Sequence, residues 1–180
     1  MAEQVVEVYS AALIAGRIES LAAEINAAYE GRELSVLCVL EDGFVFLADL
    51  LRALRTPLRT AFLRYQHQTL AGVQDLSFST QMDLTGRDVL LVEGVMDTGV
   101  TQEYLIKQLE ARGAGSVKLC VLLDKPERRR VALVPDWRAF EAHEGYLFGY
   151  GLGFQERWRE LPFLATLPAG KAEQKAEPEG

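Results

Sequence analysis

Residues 89–101 (Val-Leu-Leu-Val-Glu-Gly-Val-Met-Asp-Thr-Gly-Val-Thr) join a continuous apolar run to two acids and then to a turn of small and hydroxylated residues. Consecutive apolar residues leave no solvent-facing side, so Val89 to Val92 read as a strand buried on both faces of a parallel sheet. The turn formed by Thr98, Gly99, Val100 and Thr101 lets backbone N–H groups approach an anion, and its hydroxyls add donors. Beyond it Tyr104, Leu105, Leu109 and Ala111 recur at helical spacing, which places the turn at a helix N-terminus and its partial positive charge. The expectation is a phosphate site at the end of a strand. Glu93 and Asp97 would repel that phosphate unless a divalent cation, or a ribose and base, engages them.

The remainder of the chain alternates between strand and helix patterns. Ile14, Ile18, Leu21, Ile25 and Tyr29 make one face of a helix over residues 10–30, ended by Gly31. Leu34 to Leu40 reads as a buried strand, and Glu41-Asp42-Gly43 turns the chain into a helix from Phe44 to Leu54 that stops before Pro57. Leu58 to Tyr65 and Val73 to Thr80 are weaker strand candidates that read together as a projecting hairpin or flap. Ser116 to Leu123 is another buried strand after a tight link at Gly113 to Gly115. The pattern predicts an α/β fold, a mainly parallel sheet flanked by helices, with its ligand crevice at the carboxyl ends of the strands. One domain over residues 1–167 is expected, followed by a polar, disordered tail over 168–180.

Bulk properties narrow the class. A net charge of −7 argues against a nucleic-acid surface. No apolar run approaches the roughly 18 residues that span a bilayer. The first residues, Met-Ala-Glu-Gln, lack the basic start and apolar segment of a signal peptide, so the cytoplasm is the expected compartment. Cys38 and Cys120 sit in apolar runs and read as buried, reduced thiols.

The longer pattern, apolar-apolar-Glu-x-apolar-apolar-Asp-Thr-Gly-x-Thr, resembles the phosphoribosyl pyrophosphate (PRPP) signature of type I phosphoribosyltransferases. Three further segments resemble the hypoxanthine-guanine phosphoribosyltransferases. Residues 39–51 look like their first active-site loop and helix, 122–130 (Leu-Leu-Asp-Lys-Pro-Glu-Arg-Arg-Arg) like their purine-binding strand and loop, and 149–162 like their C-terminal hood. The resemblance implies a transferase, a glycosyltransferase of purine salvage, that moves the ribosyl phosphate of PRPP onto a 6-oxopurine, making IMP or GMP and pyrophosphate with Mg2+. It also implies a homo-oligomer, a dimer or tetramer.

By the same resemblance, Asp97 would be the general base near purine N7, Thr98 to Thr101 would hold the 5'-phosphate, and Glu93 would face the ribose hydroxyls and the metal. Lys125 would donate to the purine 6-oxo group, Tyr146 would stack on the base, and Leu147 would supply backbone contacts. Leu40, Glu41, Asp42, Gly43 and Arg159 would meet pyrophosphate. Each role competes with a plainer one: Asp97 as a helix cap, Lys125 as a solvated lysine, Tyr146 as core, Arg159 as a surface ion-pair residue.

Several positions depart from the family pattern, and they gather at the chemistry. Gly94 stands where a second acid normally follows Glu93, Glu41 stands where a lysine is usual, and Gly153 replaces a hood aspartate. At the start of the flap, Leu63-Arg64-Tyr65-Gln66 keeps only the tyrosine. Three readings stay open: a working 6-oxopurine transferase, a paralogue that binds PRPP or a nucleotide with weakened turnover, and a transferase for another base. If the missing acid limits the reaction, Gly94→Asp is expected to raise turnover.

Overall fold

Two-sided burial of the apolar runs dictates the architecture. The computed structural model describes residues 5–63, 66–70, 73–77, 81–142 and 145–168, with backbone alone over 66–77. In chain order the elements are β1 (Val6–Tyr9), α1 (Ala11–Ala28), β2 (Leu34–Val39), α2 (Phe44–Ala53), β3 (Leu58–Leu63), β4 (Gln66–Leu70), β5 (Val73–Ser77), β6 (Asp88–Met96), α3 (Val100–Ala111), β7 (Ser116–Asp124), β8 (Trp137–Glu141) and β9 (Leu164–Thr166). Five strands form the central sheet in the order β3-β2-β6-β7-β8. Every neighbouring pair in it is parallel.

Alternation along the strands sorts the core into two layers. Leu90 and Val92 of β6, with Val36 and Cys38 of β2, pack against Ile14, Ile18, Leu21 and Ile25 of α1 and Phe46 and Leu50 of α2. Val89 and Leu91, with Leu119 and Val121 of β7, face Leu105 and Leu109 of α3 on the opposite side. Ser10 starts α1 by accepting a hydrogen bond from Leu13 N at 3.3 Å. Gly31 takes the left-handed turn beyond its end, at φ +73°. Cys38 and Cys120 are buried and free, as expected.

One strand expectation needs correction. Leu58–Leu63 is not half of a flap; it is the parallel edge strand of the main sheet, in register with β2 from Leu34↔Leu58 to Val39↔Leu63. The hairpin is instead made by β4 and β5, antiparallel. Arg64, Tyr65, Thr80 and the chain beyond Pro168, including the expected tail, lie outside the described residues. Periodicity misplaces β3 because Arg59 and Thr60 interrupt its apolar run, as befits a strand with one sheet neighbour among the described residues.

A smaller lobe sits over the carboxyl end of the sheet. The antiparallel ribbon β1-β9 carries it, and Phe148, Phe154, Ala165 and Leu167 form its own core with Trp158 and Phe163. Phe148 and Trp158 stack at 4.6 Å between ring centroids. Gly149 turns the chain at φ +93° where a Cβ would overlap the carbonyl oxygen of Phe163. Gly149→Ala is therefore expected to destabilise the protein by about 3 kcal/mol or more, strain and overlap combined. Gly31→Ala, at φ +73° with nothing within 4 Å of an added Cβ, should cost only about 1 kcal/mol. Thermal or urea unfolding of the two variants checks the ordering.

Candidate active site

The site is built on the carboxyl ends of β6 and β7, which run in register to Met96↔Asp124. Side chains alternate there as they do in the core. Glu93 continues the face of Val89 and Leu91 toward α3 and is buried at 5% exposure. Gln102 Nε2, from the first turn of α3, donates to Glu93 Oε2 at 2.5 Å. The other oxygen, Oε1, is buried and has no hydrogen-bond partner among the described residues. Burial raises the Glu93 pKa from 4.5 to about 7, against the opposing effect of the Gln102 hydrogen bond. The same carboxylate adds to the burial that pushes the Cys38 thiol up to about 12.

Gly94 faces the other way, toward the first loop and the lobe. A Cβ there would come within 2.8 Å of the Asp42 carbonyl oxygen and of Leu152 Cδ2. The missing second acid is thus a position without space for one. The sequence expectation for Gly94→Asp reverses, because the substitution must push the Asp42 backbone out of place.

After β6 the chain reaches Asp97, Thr98 and Gly99. Gly99 is the N-cap of α3, at φ +81°, with no side-chain cap. Asp97 is therefore not the cap of this helix, and Thr98 to Thr101 line its N-terminus as a turn. Val100 N lies 3.5 Å from Thr98 Oγ1. A Cβ at Gly99 would meet Val131 at 2.8 Å and Arg129 and Met96 at 3.0 Å, so the turn is pressed against the loop that follows β7.

That loop is not a solvated run of charge. Arg129 Nη1 donates to the Asp97 carbonyl oxygen at 2.9 Å, and its Nη2 pairs with the buried Asp124. Arg138 Nη1 holds the second oxygen of Asp124 at 3.3 Å. Arg130 N donates to Thr98 O at 2.9 Å. Arg128 Nε lies 2.7 Å from Asp97 Oδ1, an ion pair in which the arginine is exposed and that oxygen is covered. The loop's own fold, a short 3-10 turn over Pro126–Arg128, starts at Lys125.

Lys125 is half-buried. Its N donates to Met96 O at 2.9 Å, its Nζ donates to Gly145 O at 3.2 Å, and Nζ lies 5.9 Å from the centre of the Tyr146 ring. Partial burial lowers its pKa; the nearby Asp97 charge opposes that shift and Arg128 adds to it. Tyr146 is 44% exposed, so its ring is available at the surface. Its hydroxyl donates to Gly153 O at 2.9 Å. Leu147 beside it is buried in the main core. Asp97, Lys125 and Tyr146 thus share one side of the crevice.

The first loop and Arg159 close the other side. Leu40 N donates to Leu63 O at 2.8 Å, and the Leu40–Glu41 peptide is cis. Gly43 starts α2 where a Cβ would sit 2.9 Å from Cys38 Sγ. Arg159 Nη1 pairs with Asp42 and donates to Gly151 O at 2.7 Å, and its Nη2 lies 3.7 Å from Glu41 Oε2. Arg159 is an ion-pair residue, but one that bridges the lobe to the first loop. A Cβ at Gly153 would come within 2.6 Å of its guanidinium carbon. The guanidinium occupies the room that the family's hood aspartate would use.

Sequence reasoning does not find Gln102, Asp124, Arg129 or Arg138. The signal at Asp124 is a lone charge ending a buried run. Gln102 shows only as the polar first position of a stripe completed by Leu105 and Leu109.

A parallel sheet that carries an anion turn after its central strand, with acids at its end and a lobe above, is the architecture of the phosphoribosyltransferase class. Residues 4–157 match the phosphoribosyl transferase domain family. The hypoxanthine-guanine phosphoribosyltransferase of Bacillus subtilis is 32% identical over 84% of this chain and 86% of its own length. A crystal structure of such an enzyme from Bacillus anthracis superposes with a TM-score of 0.85 at 32% identity, over 91% of this chain and 97% of that one. The hypoxanthine phosphoribosyltransferase of Trypanosoma cruzi, in complex with its product IMP, gives 0.85 at 31% identity, over 93% of this chain and 95% of that one. The chain belongs to the hypoxanthine-guanine phosphoribosyltransferase family. It also matches the bifunctional protein TilS/HprT of Listeria innocua at 38% identity, spanning 24% of that longer protein.

Two outcomes test the strand end. Gly94→Asp is expected to lower both thermal stability and any turnover, with a cost of about 1–3 kcal/mol from overpacking; higher turnover at unchanged stability would contradict it. Because the folded-state pKa of Glu93 is raised, the stability of its protonated form is fully present below pH 4.5 and lost as pH rises through about 7. Glu93→Gln should therefore be more stable than the parent by about 3 kcal/mol at pH 8, with the gap closing toward pH 5, as read from denaturant midpoints.

Proposed function

We propose that this protein is a 6-oxopurine phosphoribosyltransferase that makes IMP or GMP and pyrophosphate from PRPP. The observation that carries the reading is the gathering of Asp97, Lys125 and Tyr146 beside the N-terminal turn of α3. The Asp97 carboxylate acts on the half-buried Lys125 ammonium, which lies 5.9 Å from the exposed Tyr146 ring, and all three adjoin the anion turn. The 5'-phosphate sits on the backbone donors of Thr98 to Thr101. The ribose hydroxyls meet Glu93, whose buried Oε1 lacks a partner among the described residues. The base lies on Tyr146 with its 6-oxo group accepting from Lys125 Nζ, and Leu147 contributes backbone contacts.

In the reaction, purine N9 bonds C1 of the ribose as the C1–O bond to pyrophosphate breaks, and Asp97 takes the proton released at N7. Charge develops on the ribose ring and on the leaving group, so positioned donors and acceptors do most of the work. Arg128 holds Asp97 before the base arrives and must yield the carboxylate to it. Arg159 donates to pyrophosphate once it leaves the acids of the first loop.

Mg2+ fits as an ion carried with the substrate. Such a cation takes one or two carboxylates and completes its shell with water and phosphate oxygens. Glu93 Oε1 is a buried, unpartnered oxygen of the right kind. No group of three or more potential ligands forms a protein-only cage among the described residues. When bound, the ion would neutralise charge on the leaving pyrophosphate, and Glu93 would hold it.

The first loop favours a second reading. Glu41 and Asp42 put two acids where pyrophosphate must lie and engage its cation, Arg159. A paralogue that binds PRPP or nucleotide with little turnover has this arrangement. A dimer or tetramer in the cytoplasm is the expected setting, and light scattering reads the assembly. No helix among the described residues is long and apolar enough to cross a membrane.

Purified protein mixed with PRPP, Mg2+ and hypoxanthine, guanine, xanthine or adenine is the deciding assay. Formation of IMP and GMP with stoichiometric pyrophosphate, and none of the adenine product, is expected. Binding of PRPP without product would select the second reading. Asp97→Asn should lower kcat by about 10²–10⁴-fold while ribose 5-phosphate affinity, measured by calorimetry, stays within a few-fold.

A further inference from the structure

We propose that Gln102 is a positioning residue that selects which oxygen of Glu93 faces the ribose and ties that oxygen to the phosphate turn. The inference rests on the reading of Glu93 as the ribose-facing carboxylate. It begins from a misplaced polarity. The buried stripe of α3 runs through positions 102, 105 and 109, and Leu105 and Leu109 are fully buried. Gln102, at 6% exposure, is a polar residue in that stripe. Burying a primary amide is unfavourable unless both its hydrogens find acceptors.

Both do. Nε2 donates to Glu93 Oε2 at 2.5 Å and reaches Val95 O at 3.4 Å. The amide therefore spans a carboxylate and the backbone of the same strand, which fixes its own plane and, through it, the plane of the carboxylate. With Oε2 occupied, Oε1 is the oxygen left without a partner, buried and available to a hydroxyl only once a ligand reaches it. Rotation of the Glu93 carboxylate would exchange the two only by breaking this bond.

The placement of Gln102 gives the bond a second consequence. It follows Thr101 directly, so the residue that orients the ribose acid stands on the same helical turn as the groups that hold the 5'-phosphate. The spacing between the two contacts on one substrate is set by a single amide. Gly94 makes that spacing matter more, because no neighbouring acid shares the ribose.

Calorimetric titration of the full chain with ribose 5-phosphate and with 2-deoxyribose 5-phosphate tests the proposal. The parent protein should favour the ribose form by about tenfold, the size of one hydrogen bond to a carboxylate. Gln102→Met keeps the volume and the apolar face but removes the donor. It should reduce that preference to about twofold or less while leaving inorganic phosphate affinity unchanged. In a Glu93→Gln background, Gln102→Met should change the preference no further, a non-additivity that a merely structural glutamine would not produce.

Retention of the full preference in Gln102→Met would overturn the proposal. Absence of any preference in the parent would instead overturn the ribose reading of Glu93 on which it rests. Gln102→Asn, which draws the amide back by one methylene, carries the same expectation should the methionine variant not fold.

Discussion

The carboxyl end of β6 is buried on both faces, and the rest of the site is arranged around that constraint. A strand that alternates between two cores has to continue alternating where its chemistry begins. Glu93 is delivered to the α3 side and Gly94 to the side of the first loop and lobe. Each face then imposes its own condition. On one, an ionisable group sits out of water with one hydrogen bond and one oxygen that has no partner among the described residues. On the other, two backbones approach so closely that only glycine fits between them. The anion turn follows because α3 must start at once to cover the first of these faces.

The basic loop after β7 supports this arrangement from below. Asp124 ends a buried strand as a charge at 1% exposure, a state that is costly unless its partners are in place. Arg129 and Arg138 supply them from two directions. Arg129 also reaches the backbone of Asp97, so the turn before α3 and the buried end of β7 share one anchor. What reads in sequence as three successive arginines is a division of labour among an anchor, a backbone clasp at Arg130 and a rim cation at Arg128.

Much of the fold is legible from residues 10–54 and 88–124, because two-sided burial and helix periodicity both leave strong patterns there. The anion turn is legible for the same reason: Thr-Gly-x-Thr after a buried strand has few other uses. β8 and the ribbon β1-β9 are not. Trp137 to Glu141 pairs on one edge and is mostly half-exposed, and β9 has three residues. Position 102 is hidden by a different cause. A glutamine in a helix reads as surface until the carboxylate opposite it is known, and that contact depends on packing across the sheet. Glu41 and Gly153 are visible as departures, while their relation to each other requires the lobe to be folded over the loop.

That relation runs through Asp42. Its carbonyl oxygen stands over Gly94, and its carboxylate holds the guanidinium that fills the space above Gly153. An aspartate restored at 153 would have to evict Arg159 from Asp42 and Glu41, and an acid restored at 94 would have to displace the backbone of Asp42 itself. The altered positions are therefore not separate losses that could be reversed one at a time. They are coupled through Asp42, whose backbone crowds Gly94 and whose carboxylate holds the guanidinium packed on Gly153, so a side chain added at either glycine disturbs the same residue.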